Sequence, residues 1–168
     1  MNIRRAGVND APQLARVHVD SWQVAYRGLV PDSFLAGFTI QHREEAFRQS
    51  LAANMEETYL VEESGVAIGI LTVGASRDPD LDPNLTGEIW GIYLVPDYWR
   101  LGFGTRLVQE AECMLRARGY QDIVLWVLEG NLNARIFYER MGYKPDGISR
   151  MLELGCPMKA VRYLKTIE

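Results

Sequence analysis

The stretch IYLVPDYWRLGFGTRLVQEA, Ile92–Ala111, has the residue types and spacing of an anion site. An apolar strand breaks at Pro96, glycines follow at Gly102 and Gly104, and a strongly periodic helix then begins. Glycines let backbone N–H groups converge where side chains would obstruct, and a helix N-terminus adds partial positive charge. Thr105 offers a hydroxyl and Arg100 a cation. Two better-known phosphate motifs do not fit. A dinucleotide fingerprint needs a third glycine where Leu107 stands, and a nucleotide P-loop needs Gly-Lys followed by Ser or Thr, which does not occur. Taken alone, Gly-x-Gly before a helix is equally a tight turn, and both readings stay open at this point.

Other routes to chemistry are poorly supplied. Cys113 and Cys156 are the only cysteines, far apart and outside any zinc or redox spacing. They are expected to be reduced thiols, buried or half-buried. His18 and His42 are too few and too separate for a histidine metal site, so no metal is expected. His18 shares a helical pattern with Leu14 and Trp22 and reads as a packed or partly exposed ring. A Ser-His-Asp or Cys-His nucleophile would need one of these histidines, and nothing near either supports it.

The composition sets the frame. A chain of 168 residues with 48% hydrophobic and 24% charged content is expected to form one domain spanning 1–168. A core of that size needs no disulfide or metal staple. Eighteen basic against twenty-two acidic residues give a net charge of −4, which argues against nucleic acid and anionic membranes as partners. The N-terminus, MNIRRAGVND, lacks the apolar run of a secretory leader, and Gly65–Gly74 is too short to span a bilayer. A cytoplasmic protein is the expectation.

The elements that must position the glycine loop alternate along the chain. A short strand at Ile3–Ala6 precedes a helix from Asn9-Asp10 to about Tyr26. Short helices follow at Asp32–Ala36 and, capped by Thr39, at Ile40–Ala53, the latter with a charged face from Arg43, Glu44, Glu45 and Arg48. Thr58–Glu62 and Val66–Ala75 read as a hairpin turning at Ser64-Gly65. After a loop with Pro79 and Pro83 comes the strand Glu88–Val95, whose central Gly91 suggests a bulge. The helix Phe103–Arg118 stops at Gly119, and Ile123–Leu128 is an apolar run suited to a strand covered on both faces. A helix at Asn133–Met141 and two strands within Lys144–Ile167 complete an α/β or α+β pattern on a mixed sheet.

With these residues in view, the chain resembles the GCN5-related N-acetyltransferase superfamily. That family's phosphate loop reads Gln/Arg-x-x-Gly-x-Gly/Ala, and Gly102 and Gly104 fill its glycine positions. Trp99 stands at the Gln/Arg position, a departure, with Arg100 next to it. A second signature, Asn-x-x-Ala-x-x-x-Tyr-x-x-x-Gly-Phe/Tyr, is matched at every fixed position by Asn131, Ala134, Tyr138, Gly142 and Tyr143. The resemblance implies a mixed, mostly antiparallel sheet of about seven strands, flanked by about four helices, with a bulged fourth strand.

It also implies roles. Amides from Val95 to Thr105, around Trp99, Arg100, Leu101, Gly102, Phe103 and Gly104, would hold the pyrophosphate of coenzyme A, and acetyl-CoA would be the co-substrate. Ile92, Tyr93 and Leu94 would pair with the pantetheine arm as an added strand, and Asn131 would contact that arm. Tyr138 would be the general acid that protonates the leaving thiolate, against the plainer reading that it merely packs. Glu88 would be the base, its pKa raised by apolar neighbours such as Ile89 and Trp90, against the plainer reading of an edge carboxylate.

For the acceptor, Trp22 and Tyr26 fall one helical turn apart, and Trp90 and Trp126 could add aromatic walls around Glu88. Such a box attracts an ammonium ion by cation–π contact, and the same aromatics also suit an ordinary core. The implied activity is transfer of an acetyl group to a primary amine of a small molecule (polyamine-like, amino acid or antibiotic) by direct attack in a ternary complex. The alternatives are a protein N-terminal or lysine acetyltransferase and a non-catalytic acyl-CoA sensor. The apolar tail, with Met151, Leu152, Leu154, Val161, Tyr163 and Leu164, suits a homodimer contact or a monomer's core.

Overall fold

A computed structural model describes residues 1–54 and 56–167. Chain order begins with β1 (Asn2–Arg5), a 3₁₀ turn, then α1 (Ala11–Ala25), α2 (Asp32–Gly37) and α3 (Ile40–Ala52). Next come β2 (Glu57–Glu63), β3 (Val66–Ala75), β4 (Thr86–Leu94), α4 (Phe103–Ala117) and β5 (Asp122–Leu128). Finally α5 (Leu132–Arg140) leads into β6 (Lys144–Glu153) and β7 (Pro157–Thr166). Seven strands form one sheet in the order β1-β2-β3-β4-β5-β7-β6. Every neighbouring pair is antiparallel except β4 and β5; the sheet is mixed and mostly antiparallel, as the sequence resemblance implied.

Local chemistry explains the element ends. Pro12 lies in the first turn of α1, where its missing N–H costs nothing. Thr39 Oγ1 accepts the His42 N–H at 3.3 Å and caps α3. Ser64 and Gly65, both at positive φ, make the tight β2–β3 hairpin.

The strands' period-two alternation then builds two cores. On one face Ile70 of β3 and Leu60 of β2 pack with Leu14 of α1 and Phe47 of α3. On the other, Leu71 and Ile123 pack with Val108 and Leu115 of α4 and with Tyr143. Leu152 and Leu154 are half-buried, Tyr163 lies deep in the core and Met151 is exposed on the edge strand β6. Among the described residues, no helix is long and apolar enough to cross a membrane.

Three expectations need correction. Cys113 is exposed, because α4 turns Ala111 and Leu115 inward and leaves position 113 outside; Cys156 is half-buried, and both thiols are free. Arg43 does not belong to the solvated face of α3. It shares a face with Phe47 one turn on and packs inward against α1. The bulge in β4 falls on Trp90, since Thr72 pairs with Gly91 while Val73 pairs with Ile89.

Candidate active site

The site is centred where β4 and β5 part. The two strands pair in parallel only at Thr86–Asp122, Gly87–Ile123 and Glu88–Val124. Beyond Glu88, β4 stays on β3 while β5 stays on β7 as far as Leu128, so a wedge opens between them. The Trp90 bulge sits at the start of this wedge and adds the twist that separates the strands. Gly91 beside it is required by space: a Cβ there would lie 2.7 Å from Cε2 of the Tyr93 ring.

At the far end of the wedge stands the N-terminus of α4. Its cap residue Gly102 has φ +87°, a conformation that strains any residue with a Cβ. No side chain caps this end, and the first bond back to a loop carbonyl is that of Arg106 N–H to Gly102 O at 3.2 Å. The N–H groups of Phe103, Gly104 and Thr105 therefore remain available to an anion. A Cβ at Gly104 would meet the Phe137 ring at 3.4 Å, an ordinary contact, so space alone does not require this glycine. Arg100, at φ +60°, and Leu101 project into solvent beside it.

Trp99, at the position where the resembled loop carries Gln or Arg, has a definite task here. Its Nε1–H donates to the Leu94 carbonyl at 2.7 Å. Val95 N–H bonds to Ile68 O of β3, so by alternation the backbone groups of Leu94 and Ile92 face the wedge. The indole thus satisfies one carbonyl of the open edge and ties the loop to the strand. Trp99→Phe is expected to lower stability by about 1 kcal/mol, the worth of one such bond, measured by urea unfolding. An unchanged midpoint would show the bond to be idle.

Tyr138 reaches the wedge from α5. Its ring packs edge-on to Phe137 and Tyr143. Burial, then the neighbouring Tyr93, hold the phenol's pKa well above its ordinary value, so it carries its proton at neutral pH. Tyr93 and Tyr138 in turn add to the burial that raises Tyr26, so phenols from α1, β4 and α5 converge at one place. Asn131 is the N-cap of α5, its Oδ1 accepting the Ala134 N–H at 3.2 Å. The Asn-x-x-Ala spacing is therefore explained by a helix cap. Nothing beyond the cap is needed to account for it.

Glu88 is only 1% exposed, at the last paired position before the wedge. The expected apolar surroundings are not what surrounds its carboxylate. Arg77 donates to Oε2 from its backbone N–H at 3.0 Å and from Nε at 3.2 Å, and to Oε1 from Nη2. The same guanidinium lies 4.1 Å over the Trp90 ring.

The predicted aromatic box is divided. Trp22 stacks on Phe38 and touches Tyr26 at 4.3 Å between centroids, and Trp22 and Tyr26 share an apolar cluster with Trp126. Trp126 donates to Asp78 at 3.0 Å, and its ring lies 4.0 Å beneath Arg150. Trp90 instead lines a cavity of about 170 Å³ next to the bulge, with His18, Arg43, Arg77 and Tyr93. Sequence reasoning missed Arg43 and Arg77; the only signal was an arginine one turn before Phe47. A larger hollow of about 390 Å³ between β6 and β7 touches none of the predicted site residues.

Residues 22–143, more than half of the chain, match the acetyltransferase (GNAT) family. The N-acetyltransferase YuaI of Bacillus subtilis is 25% identical over 177 residues, covering 99% of this chain and 98% of that protein. A spermidine N(1)-acetyltransferase of Thermoplasma acidophilum is 24% identical over 153 residues, covering 87% and 89% respectively. Among solved structures, PaiA N-acetyltransferase from Thermoplasma acidophilum, in complex with coenzyme A, has the same fold. It superposes with a TM-score of 0.78 at 19% identity, over 99% of this chain and 98% of that one. The chain belongs to the acetyltransferase (GNAT) family. It is accordingly an N-acetyltransferase.

Proposed function

We propose that the protein uses acetyl-CoA to acetylate a primary amine of a small molecule in the cytoplasm, by direct attack in a ternary complex. The observation that carries this reading is the wedge: a strand edge with free backbone groups leads from the uncapped α4 N-terminus to the Tyr138 phenol. The residues present fit coenzyme A. The amides of Phe103, Gly104 and Thr105 would take the pyrophosphate, with Arg100 and the neighbouring loop, Trp99 to Gly102, around it. Ile92 and the Leu94 N–H would pair with the pantetheine amides beside Tyr93, as an added strand does. Asn131 would stand near that arm through the helix end it caps.

Acetyl-CoA supplies an activated acyl carbon. The amine nitrogen bonds to that carbon, the carbon–sulfur bond breaks, and Tyr138 gives its phenolic proton to the departing thiolate. Glu88, held in place by Arg77, receives the proton that the acceptor's ammonium must lose, through a bridging water. Solvent then restores both groups. A single domain spanning 1–168 supplies every residue named. The similarity to a spermidine N(1)-acetyltransferase supports a small amine over a protein acceptor, as does the small size of the cavity beside the bulge.

Thiol release from acetyl-CoA across a panel of amines tests the reading. Amine-dependent release is expected, and Glu88→Gln should lower it by about 10²-fold while coenzyme A still binds. Coenzyme A binding with no amine acetylated would favour a sensor and overturn the proposal.

A further inference from the structure

The cavity beside the Trp90 bulge is lined by a guanidinium whose Nη atoms have no acceptor among the described residues. Arg43 Nε donates to His18 Nδ1 at 3.2 Å, and Phe38 and Phe47 flank the guanidinium at 5.3 and 5.1 Å. Among the described residues, no carboxylate lies within salt-bridge distance of Arg43, and its Nη atoms have no acceptor. Because Nδ1 accepts, the proton of the neutral imidazole sits on Nε2. That atom is buried and has no partner either. Burial, and then Arg43, push the His18 pKa down to about 3, so the ring is neutral throughout the physiological range. A half-buried guanidinium that is not directly paired, with Glu56 as a more distant carboxylate across the same cavity, has room for a closer anion. An oxyanion would complete the pairing.

The rest of the lining agrees. Arg77 brings a second cation, and the lining carboxylate, Glu56, accepts from Ser50 Oγ at 2.7 Å. Glu88, behind Arg77, has both oxygens engaged. The indole faces expected to attract an ammonium ion already carry guanidinium groups, Arg77 on Trp90 and Arg150 on Trp126. Trp90 and Gly91 line the same cavity and also form the mouth of the wedge, so a molecule anchored at Arg43 would extend toward the wedge.

We propose that Arg43, held in place by His18 Nδ1, binds a carboxylate of the acceptor, so that the substrates are small amines bearing a carboxylate, as amino acids do, and not polycations. The volume of about 170 Å³ is below the roughly 300 Å³ of ordinary ligand pockets. It suits a molecule of amino-acid size. This inference rests on the acetyl-transfer reading above, and its test separates the two.

Acceptors are compared in matched pairs, each amino acid against its own carboxamide, with spermidine as the polycation. The carboxylate form is expected to be favoured about 10- to 100-fold in kcat/KM, the range for a charged hydrogen bond. Arg43→Gln should bring that ratio to within a few-fold, and Arg43→Lys should retain part of it. Coenzyme A binding and the melting temperature of each variant confirm that it is folded. Release of thiol with any amine supports acetyl transfer; the ratio alone judges the carboxylate site. Should no amine be turned over, calorimetry of the same pairs with the coenzyme A complex decides. Tighter binding of the amino acids that Arg43→Gln abolishes supports the site. Equal or better use of carboxamides or spermidine, or a ratio unchanged in Arg43→Gln, overturns it.

Discussion

Tyr138→Phe is expected to lower kcat by about 10²- to 10⁴-fold, the contribution of a well-placed general acid. The affinity for coenzyme A, measured by calorimetry, should stay within a few-fold. The separation follows from the site's geometry. The proposed pyrophosphate contacts are backbone amides at the start of α4, which the substitution does not touch. The phenol's hydroxyl has no hydrogen-bond partner among the described residues, so removing it orphans no buried group. The ring keeps its edge contacts with Phe137 and Tyr143. Stability is therefore expected to change by less than about 0.5 kcal/mol. A large loss of coenzyme A binding with unchanged kcat would sink the acid assignment and make Tyr138 a binding residue.

The largest expected effect on stability lies away from the chemistry, at Arg162 of β7. This side chain is 3% exposed and gathers three aspartates. Its Nε donates to Asp146 at 2.6 Å, its Nη1 to Asp78 at 3.2 Å and to Asp80 at 2.8 Å, and its Nη2 to Asp80 at 2.7 Å. Asp80 is half exposed and its share is screened by solvent. Asp78 is buried, and without Arg162 it keeps only Trp126 and the more distant Arg150. Breaking a buried pair by removing one partner costs about 3–5 kcal/mol. The residual partners place Arg162→Ala near the lower end, about 3 kcal/mol. For a chain of this size that is a fall of roughly 6–12 °C in melting temperature. A loss below about 1 kcal/mol in urea unfolding would show the network to be dispensable. The same network fixes the loop that carries Arg77 next to Asp78, so the variant should also loosen the Arg77–Glu88 pair.

Much of the fold is legible in the chain because it is set locally. Helical spacing, the Thr39 cap, the Ser64-Gly65 turn and the apolar run of β5 each identify an element within a residue or two of its observed ends. The Asn131 cap explains, from local geometry, the Asn-x-x-Ala step, and the positive φ explains the glycine at 102. What periodicity misjudged were side chains with competing options. Cys113 looked apolar enough to bury, yet lies on the outer face of α4. Arg43 looked like one more surface charge, yet its stem packs with Phe47 and its head reaches His18.

The sequence by itself determined the glycine loop, the helix that follows it and the place of Tyr138 on α5, since each depends on residues close together in the chain. Only the tertiary structure decided what surrounds Glu88 and what the acceptor would meet. Arg77 reaches Glu88 from the β3–β4 loop, and Arg43 meets His18 across 25 positions of sequence. The first is set by the path of the β3–β4 loop and the second by how α1 and α3 dock on each other, and no local pattern carries that information. Charge counting suggested an acidic protein ready for a cationic amine. Folding placed two of its guanidinium groups at the cavity beside the bulge and set the buried carboxylate, Glu88, in an ion pair with one of them.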